Sequence, residues 1–363
     1  MCAMDTITHG LLGAVVAQLG FRQRIGRDAS WMATAAAVSP DLDMFVGPLI
    51  TRLGGNGNNH LFEHRGLSHS LLLAPILAAA IAGAWWLVRR LVLRRRDASY
   101  PAAVPAPFWL VSLCALAALV THPLLDWCTP YGTELLAPLS GARYAIDVVS
   151  IMDFLFTGIL VLTLLACFLA RRLVARMEPQ SSLMLGRAGF VLAIAYLLAG
   201  HVLHNEAVAE ARTRAADPHI VRADAYPALG TIFTWRTVVE ADDAWTTMRI
   251  QPLAELHGPP PVETARKQSN LWIDRARRLP QVKDYEWFAM GRVRVAYREE
   301  GGLHIVEFND MRYAARLEGI ESLWPLRVTF DAAGGVLKVE RLSAFRGRSH
   351  WTIVREAWEN LVG

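Results

Sequence analysis

Histidines and aspartates recur in five short motifs of the first half of the chain. They are THG (His9), SPDLD (Asp41, Asp43), EHRGLSHS (Glu63, His64, His69), THPLLD (His122, Asp126) and AIDVVSIMD (Asp147, Asp153). Apolar stretches separate them. A charge or imidazole at membrane depth is costly and ordinarily lines a site or a cavity, so the recurrence needs a compensating partner. Neutral imidazoles and carboxylates suit borderline or hard divalent ions, and no thiolate accompanies them, which argues against a closed structural cysteine zinc site. His122 and Asp126 are spaced i, i+4 and project from one helix face. Pro123 between them requires that helix to bend or restart. His64 and His69 are five apart, so a turn at Gly66 must separate them. The expected metal ligands are His9, Asp41, Asp43, His64, His69, His122, Asp126 and Asp147, more than one ion needs. One or two ions are expected, zinc first, with manganese or magnesium open. Two ions would clamp both the attacking and the leaving oxygen of an ester. Asp43 or Asp126, if not a ligand, is a candidate general base, and Arg65 a bidentate donor to an anionic substrate group.

Other readings compete residue by residue. A lone His or Asp at a helix end is commonly a cap or an interfacial polar group. Asp153, Glu63 and His60 can be explained by the helix dipole without a metal. His201 and His204 sit where a helix leaves the membrane, and polar residues are expected there.

These motifs are positioned by long apolar segments. Hydrophobic residues make up 53% of the 363 and charged residues 19%, less charge than soluble domains usually carry. Three runs reach the roughly 20 residues needed to cross a bilayer: Ser70 to Val88, Phe108 to Leu125, and Val148 to Ala170. Ala188 to Val202 is shorter, and Ile7 to Leu19 and Trp31 to Phe45 are short enough to be half-buried or re-entrant. The expected fold is a membrane α-helical bundle of about four to six membrane helices over residues 1–205. A soluble, strand-rich α+β domain over residues 206–363 follows it.

Residues 1–205 hold 15 Lys+Arg against 11 Asp+Glu, and the remainder is balanced at 22 of each, so the net charge of +4 lies in the helical part. The arginines cluster at Arg22, Arg24 and Arg27, at Arg89, Arg90, Arg94, Arg95 and Arg96, and at Arg171, Arg172 and Arg176, after every second helix. This pattern of membrane topology excludes a nucleic-acid face and puts the clusters in the cytoplasm. All five motifs then converge on the outer side, and the C-terminal domain is extracytoplasmic. Cys2, Cys114, Cys128 and Cys167 have no CxxC spacing, so no disulfide framework is implied. The start MCAMDTITHG lacks the pattern of a removable signal peptide.

Beyond Asn205, alternating runs such as TIFTWRTVV, WTTMRIQP, RVRVAYRE, LHIVEF, LRVTF and VLKVERL read as strands. Glu263 to Leu279 has helical spacing, and Trp351 to Leu361 reads as a closing helix.

At THGLLGA, SPDLD, HRGLSHS, THPLLDWCTPYG and the Asp147 segment, over roughly residues 4 to 160, the chain resembles the YdjM/YbcI-like family of bacterial inner-membrane proteins, regarded as metal-dependent hydrolases. The resemblance implies a membrane-embedded hydrolase in the inner membrane, with its motif on His9, Asp41, Asp43, His64, His69, His122 and Asp126. Ser68 stands where a threonine is common, a change expected to be silent. The first functional expectation is therefore a hydrolase cleaving an ester, foremost a phosphoester, of a membrane lipid or lipid-linked substrate. Alternatives are a metal or proton transporter using the same cluster, or a catalytically degenerate envelope or stress protein. Transport needs polar groups along the whole path, whereas the far halves of the central helices are apolar.

Overall fold

A computed structural model describes residues 2–45, 64–89, 106–173, 180–253, 262–314 and 316–343. Glu63, His60 and the closing helix expected at Trp351 to Leu361 lie outside them. The chain forms two compact units, one of Met1–Ile146 with Phe154–Leu198, the other of Asp147–Asp153 with Ala199–Gly363.

In the first unit α1 spans Cys2–Val16 and continues through a π-helical turn, Ala17–Phe21, into the short α2, Arg22–Ile25. α3 (Ala29–Val38) runs into a 3-10 turn at Ser39–Leu42. α4 is Ala74–Val88, α5 Phe108–Trp127 and α6 Phe154–Leu173, while α7, Gln180–Ala215, starts in this unit and from Ala199 belongs to the second. Three of these, α5, α6 and α7, are long and apolar enough to cross a membrane, and α4 is a shorter apolar helix. At 36 residues, α7 extends about 54 Å, well beyond a hydrocarbon core of about 30 Å. The spacing that suggested a short last helix captured only its apolar middle.

Small residues let these helices approach closely. Alanines 29, 33, 36, 37, 74, 78, 82, 115 and 118 are all buried in the core that α1, α3, α4 and α5 share. On α1, a Cβ at Gly13 would fall 2.5 Å from the Ala33 carbonyl oxygen and 2.6 Å from the Ala37 Cβ. Only glycine allows that approach, which places α3's C-terminal turn beside His9. α5 continues through Pro123 to Trp127 as one helix rather than restarting there.

The helix expected from Val148 opens later, at Phe154. Residues 147–153 belong instead to the second unit, where Val148 and Val149 are buried and Asp153 forms a parallel bridge with Gly230.

The second unit carries two four-stranded antiparallel meanders. The first is β1 (Ile220–Pro227), β2 (Trp235–Ala241), β3 (Ala244–Ile250) and β4 (Val262–Arg266). α8 (Leu271–Arg277) and α9 (Pro280–Phe288) precede the second, β5 (Val293–Glu300), β6 (Leu303–Asp310), β7 (Leu326–Phe330) and β8 (Val336–Arg341). The helix expected from Glu263 is thus corrected: its first residues pair with β3 as an edge strand. Helix starts only after Asn270, whose side chain accepts from the Trp272 and Ile273 amides at 3.0 Å each. The apolar spacing came from Trp272, Ile273, Ala276 and Leu279, which lie beyond the strand. Ile273, Ala276, Val282 and Tyr285 pack on Val295, Val306, Phe308, Val328 and Phe330 of the second sheet.

Candidate functional site

Four elements of the helical unit bring His9 (α1), Asp41 (the turn after α3), His69, and His122 with Asp126 (α5) into one buried cluster. His69 lies on a 3-10 turn, Leu67–His69. The bend ahead of it is made by Arg65, whose φ of 69° is left-handed, followed by Gly66. The segment is clamped by the chain that follows α5: the Glu134 amide donates to the Arg65 carbonyl and the Leu71 amide to that of Leu135, each at 3.0 Å.

His122 Nδ1 lies 2.5 Å from the Ala37 carbonyl oxygen. A carbonyl can only accept, so Nδ1 carries the proton and Nε2 turns a lone pair inward. The Ser68 hydroxyl gives its proton to Asp43 Oδ2 at 2.6 Å. His69 Nδ1, 2.9 Å from that hydroxyl and 3.3 Å from Asp43 Oδ2, is accordingly a donor. Its Nε2 is then bare as well.

The two bare nitrogens are 3.1 Å apart. Asp41 Oδ1 lies 3.3 Å from His122 Nε2 and 3.8 Å from His69 Nε2. Asp126 Oδ2 is 3.3 Å from His69 Nε2 and 3.6 Å from His122 Nε2. Four acceptor atoms face one another. Four donors at about 2.0–2.1 Å from a tetrahedral ion stand about 3.3 Å from each other, and the five separations above scatter about that value. The donor set is therefore one that could hold a metal ion. Each donor is also held from behind: His122 by the Ala37 carbonyl, His69 by Ser68 and Asp43. Asp41 Oδ2 accepts from Thr6 Oγ1 at 2.5 Å, and Asp126 Oδ1 is 3.1 Å from an Arg65 nitrogen. Such backing groups set tautomer and orientation in metal sites.

Two groups that share no residue, His9 with His122 and Asp126, and Asp41 with His64 and His69, could each hold an ion. His9 Nε2 is 3.2 Å from Asp126 Oδ1, and its ring stacks on His122 with centroids 3.7 Å apart. His64 is half-buried, with Nδ1 2.7 Å from Asp43 Oδ1.

The remaining expected residues have distinct places. Asp43 stands behind His69 and accepts from four donors, the fourth being the Arg65 amide at 3.3 Å. Arg65 is buried, donates to Thr129 Oγ1 at 2.9 Å, and lies over the Tyr131 ring, 4.6 Å from its centroid. Asp147 is not brought to the cluster. It belongs to the other unit, with a left-handed φ of 57° and a buried Oδ1 that has no hydrogen-bond partner among the described residues. Burial pushes its pKa up to about 7; Asp224 and Asp310 add to the rise, while Arg292 and Arg312 oppose it.

Sequence reasoning missed the groups behind the clustered His and Asp side chains: Thr6, the Ala37 carbonyl, Thr129 and Tyr131. Ser68 entered only as a variation, although its hydroxyl joins Asp43 to His69. Threonine keeps that hydroxyl. Thr129 and Tyr131 lie in the TPYG that follows Asp126, the one available signal.

No curated protein and no solved structure matches the chain. The family model described as YdjM inner membrane protein matches residues 4–207 and so covers every residue of the cluster. With more than half its length matched, the chain belongs to the YdjM inner membrane protein family.

Proposed function

We propose that this protein is a metal-dependent hydrolase of the inner membrane, acting on an ester, foremost a phosphoester, of a lipid-linked or amphiphilic substrate. The observation that carries the reading is the set of four mutually facing acceptors, two imidazole nitrogens and two carboxylate oxygens, each oriented by its own backing group. Charge supports it as well. Asp41, Asp43 and Asp126 carry three negative charges, Arg65 returns one, and neutral imidazoles leave two, which one divalent ion balances.

His69, His122, Asp41 and Asp126 would hold that ion, with His9, beside Asp126, available to a second. A zinc ion there would supply Lewis acidity to the ester and, by lowering the pKa of water toward about 7, a nucleophile at neutral pH. The protein's own part is positioning and proton transfer. Asp43 accepts from His64 Nδ1, so His64 Nε2 is the nitrogen that would be free to take a proton from the attacking water and return it to the leaving oxygen. Arg65, engaged with Asp126 and Thr129, holds the carboxylate in place. Leu42, Leu67 and Leu139 are exposed on the segments that carry or clamp the cluster, which suits an amphiphilic substrate. Transport is the weaker reading, because α5 beyond the cluster is packed with buried Leu110, Val111, Ala115, Ala118 and Leu119. In this proposal the helical unit is multi-pass, the cluster opens to the outer side, and the strand-rich unit is extracytoplasmic.

The test is metal analysis of protein purified in detergent without chelator, followed by a panel of soluble and lipid phosphoesters and carboxylic esters. About one or two equivalents of metal and metal-dependent turnover of one ester class are expected. Protein that neither retains nor takes up zinc would overturn the proposal.

A further inference from the structure

Far along the helical unit from the His/Asp cluster, arginines from several segments converge. From His9 to Arg22 the chain is 13 residues on, about 20 Å of helix. Gly20, at φ 132°, breaks the helical path, and Gly26, at φ 116°, ends α2. A Cβ at Gly26 would stand 3.2 Å from Asp28 Oδ1, and the left-handed φ excludes other residues at low cost. This corner sets Arg22 and Arg27 beside a cavity of about 230 Å³ that Asp28 and Trp31 also line.

Among the described residues the charges there are unbalanced. Arg171 binds Gln18 Oε1 at 3.0 Å and Ser182 Oγ at 2.7 Å, both neutral. Arg89 approaches Asp28 Oδ2 at 3.5 Å. Arg22 donates to the Arg27 carbonyl at 2.8 Å and to Ser30 Oγ at 3.2 Å, again neutral acceptors. Among the described residues no ion pair engages Arg27. Burial, then the like charges of Arg171 and Arg27, lower the pKa of Arg22. Among the described residues, Asp28 is thus the one carboxylate beside Arg22, Arg27 and Arg89. Trp31, at the cavity's edge, is 74% exposed, a large amphipathic ring at the end of a membrane bundle, where such rings meet headgroups.

We propose that this cavity is a binding site for the phosphate headgroup of an anionic phospholipid. The phosphate sits between Arg22 and Arg27 as bidentate guanidinium partners, and Trp31 lies against the glycerol and upper acyl region. A soluble phosphate shares the anionic chemistry but makes no use of the exposed indole. Basic pockets at the ends of membrane helices recognise lipid headgroups in this way. The site is independent of the metal reading.

The test is native mass spectrometry of the full-length protein in detergent, titrated with phosphatidylglycerol or with phosphatidylcholine of the same acyl chains. Preferential retention of phosphatidylglycerol is expected. It should weaken on the order of tenfold in Arg22→Gln/Arg27→Gln, weaken in Trp31→Ala, and persist in Arg278→Gln, an exposed arginine of the other unit. Arg27→Gln alone, at an exposed position, serves if the double variant does not fold. Equal retention of the two lipids, or unchanged preference in a folded Arg27 variant, overturns the proposal. Displacement of phosphatidylglycerol by millimolar inorganic phosphate also overturns it, by making the site one for soluble anions.

Discussion

The sharpest test of the proposed metal centre compares Asp43→Asn with Asp126→Asn, two isosteric changes on either side of the His69 ring. Asp43 lies on the Nδ1 side, and its two oxygens are taken up by His64, Ser68, His69 and the Arg65 amide. An asparagine keeps one acceptor oxygen and replaces the other with a donor. The His69 ring then loses its tether while the donor set itself stays complete. Losing a backing group typically weakens metal binding 10- to 100-fold, or about 1.4–2.7 kcal/mol. Asp126 lies on the Nε2 side and supplies one of the facing atoms. With an ion present the cluster is neutral, so removing this carboxylate leaves one buried positive charge uncompensated. A cost of about 3–5 kcal/mol follows, which is about two to four orders of magnitude in affinity. The assay is competition with a chromophoric zinc chelator, using full-length protein stripped of metal and held in detergent. Asp43→Asn should keep wild-type stoichiometry at reduced affinity, and Asp126→Asn should lose the ion under the same conditions. If Asp43→Asn binds as poorly as Asp126→Asn, or Asp126→Asn binds like the wild type, the assignment of inner and outer groups is refuted.

Gly13→Ala forces α1 away from α3, since the added methyl meets Ala33 O and Ala37 Cβ. A loss of about 1–3 kcal/mol should lower the unfolding temperature in detergent, and an unchanged value would contradict the close approach. Asp310 and Arg312 form a fully buried pair joined through Arg312 Nε at 2.9 Å and a terminal nitrogen at 2.7 Å. Asp310→Asn should cost about 3–5 kcal/mol in chemical denaturation, and a loss under 1 kcal/mol would argue against the pair. Asp147 holds its proton more tightly folded than unfolded, so its contribution to stability is complete at low pH. That contribution falls as the pH climbs from the ordinary carboxylate range to about 7. Asp147→Asn should accordingly narrow the difference in unfolding temperature between pH 5 and pH 8, and an unaltered difference would exclude Asp147 as its source. Reporter fusions after Arg96 and Arg176 should read cytoplasm and one after Glu210 the outside; a cytoplasmic Glu210 fusion would reverse the proposed face of the site.

Residue types and local periodicity were enough to find the helices that carry His9, His122 and Asp126 and to place most strands of the second unit, but not to show that α3 ends at Val38 and leaves Asp41 on a 3-10 turn. Both depend on short-range rules: apolar length sets a membrane helix, and alternation sets a half-buried strand. The rules failed where two patterns abut. In the 263–279 stretch the helical apolar residues all follow Asn270, and an exposed edge strand needs no apolar face. β1, IVRADAYP, went unrecognised because its charged residues interrupt the alternation.

The division of labour among the acids was not legible at all. Asp41 and Asp43 are two residues apart in one motif, yet one faces the Nε2 of His69 and the other its Nδ1. Only the 3-10 turn after α3, docked against the His69 segment, decides which does which. Asp147 follows Asp126 by 21 residues in what looked like one polar face, but the segment from Asp147 to Asp153 packs with the strand-rich unit. Motif spacing reports which side chains one helix presents together. Which imidazole nitrogen bears the proton, and which carboxylate stands in front of it, are set by acceptors such as the Ala37 carbonyl, which lies 85 residues away in the chain and carries no side-chain signature.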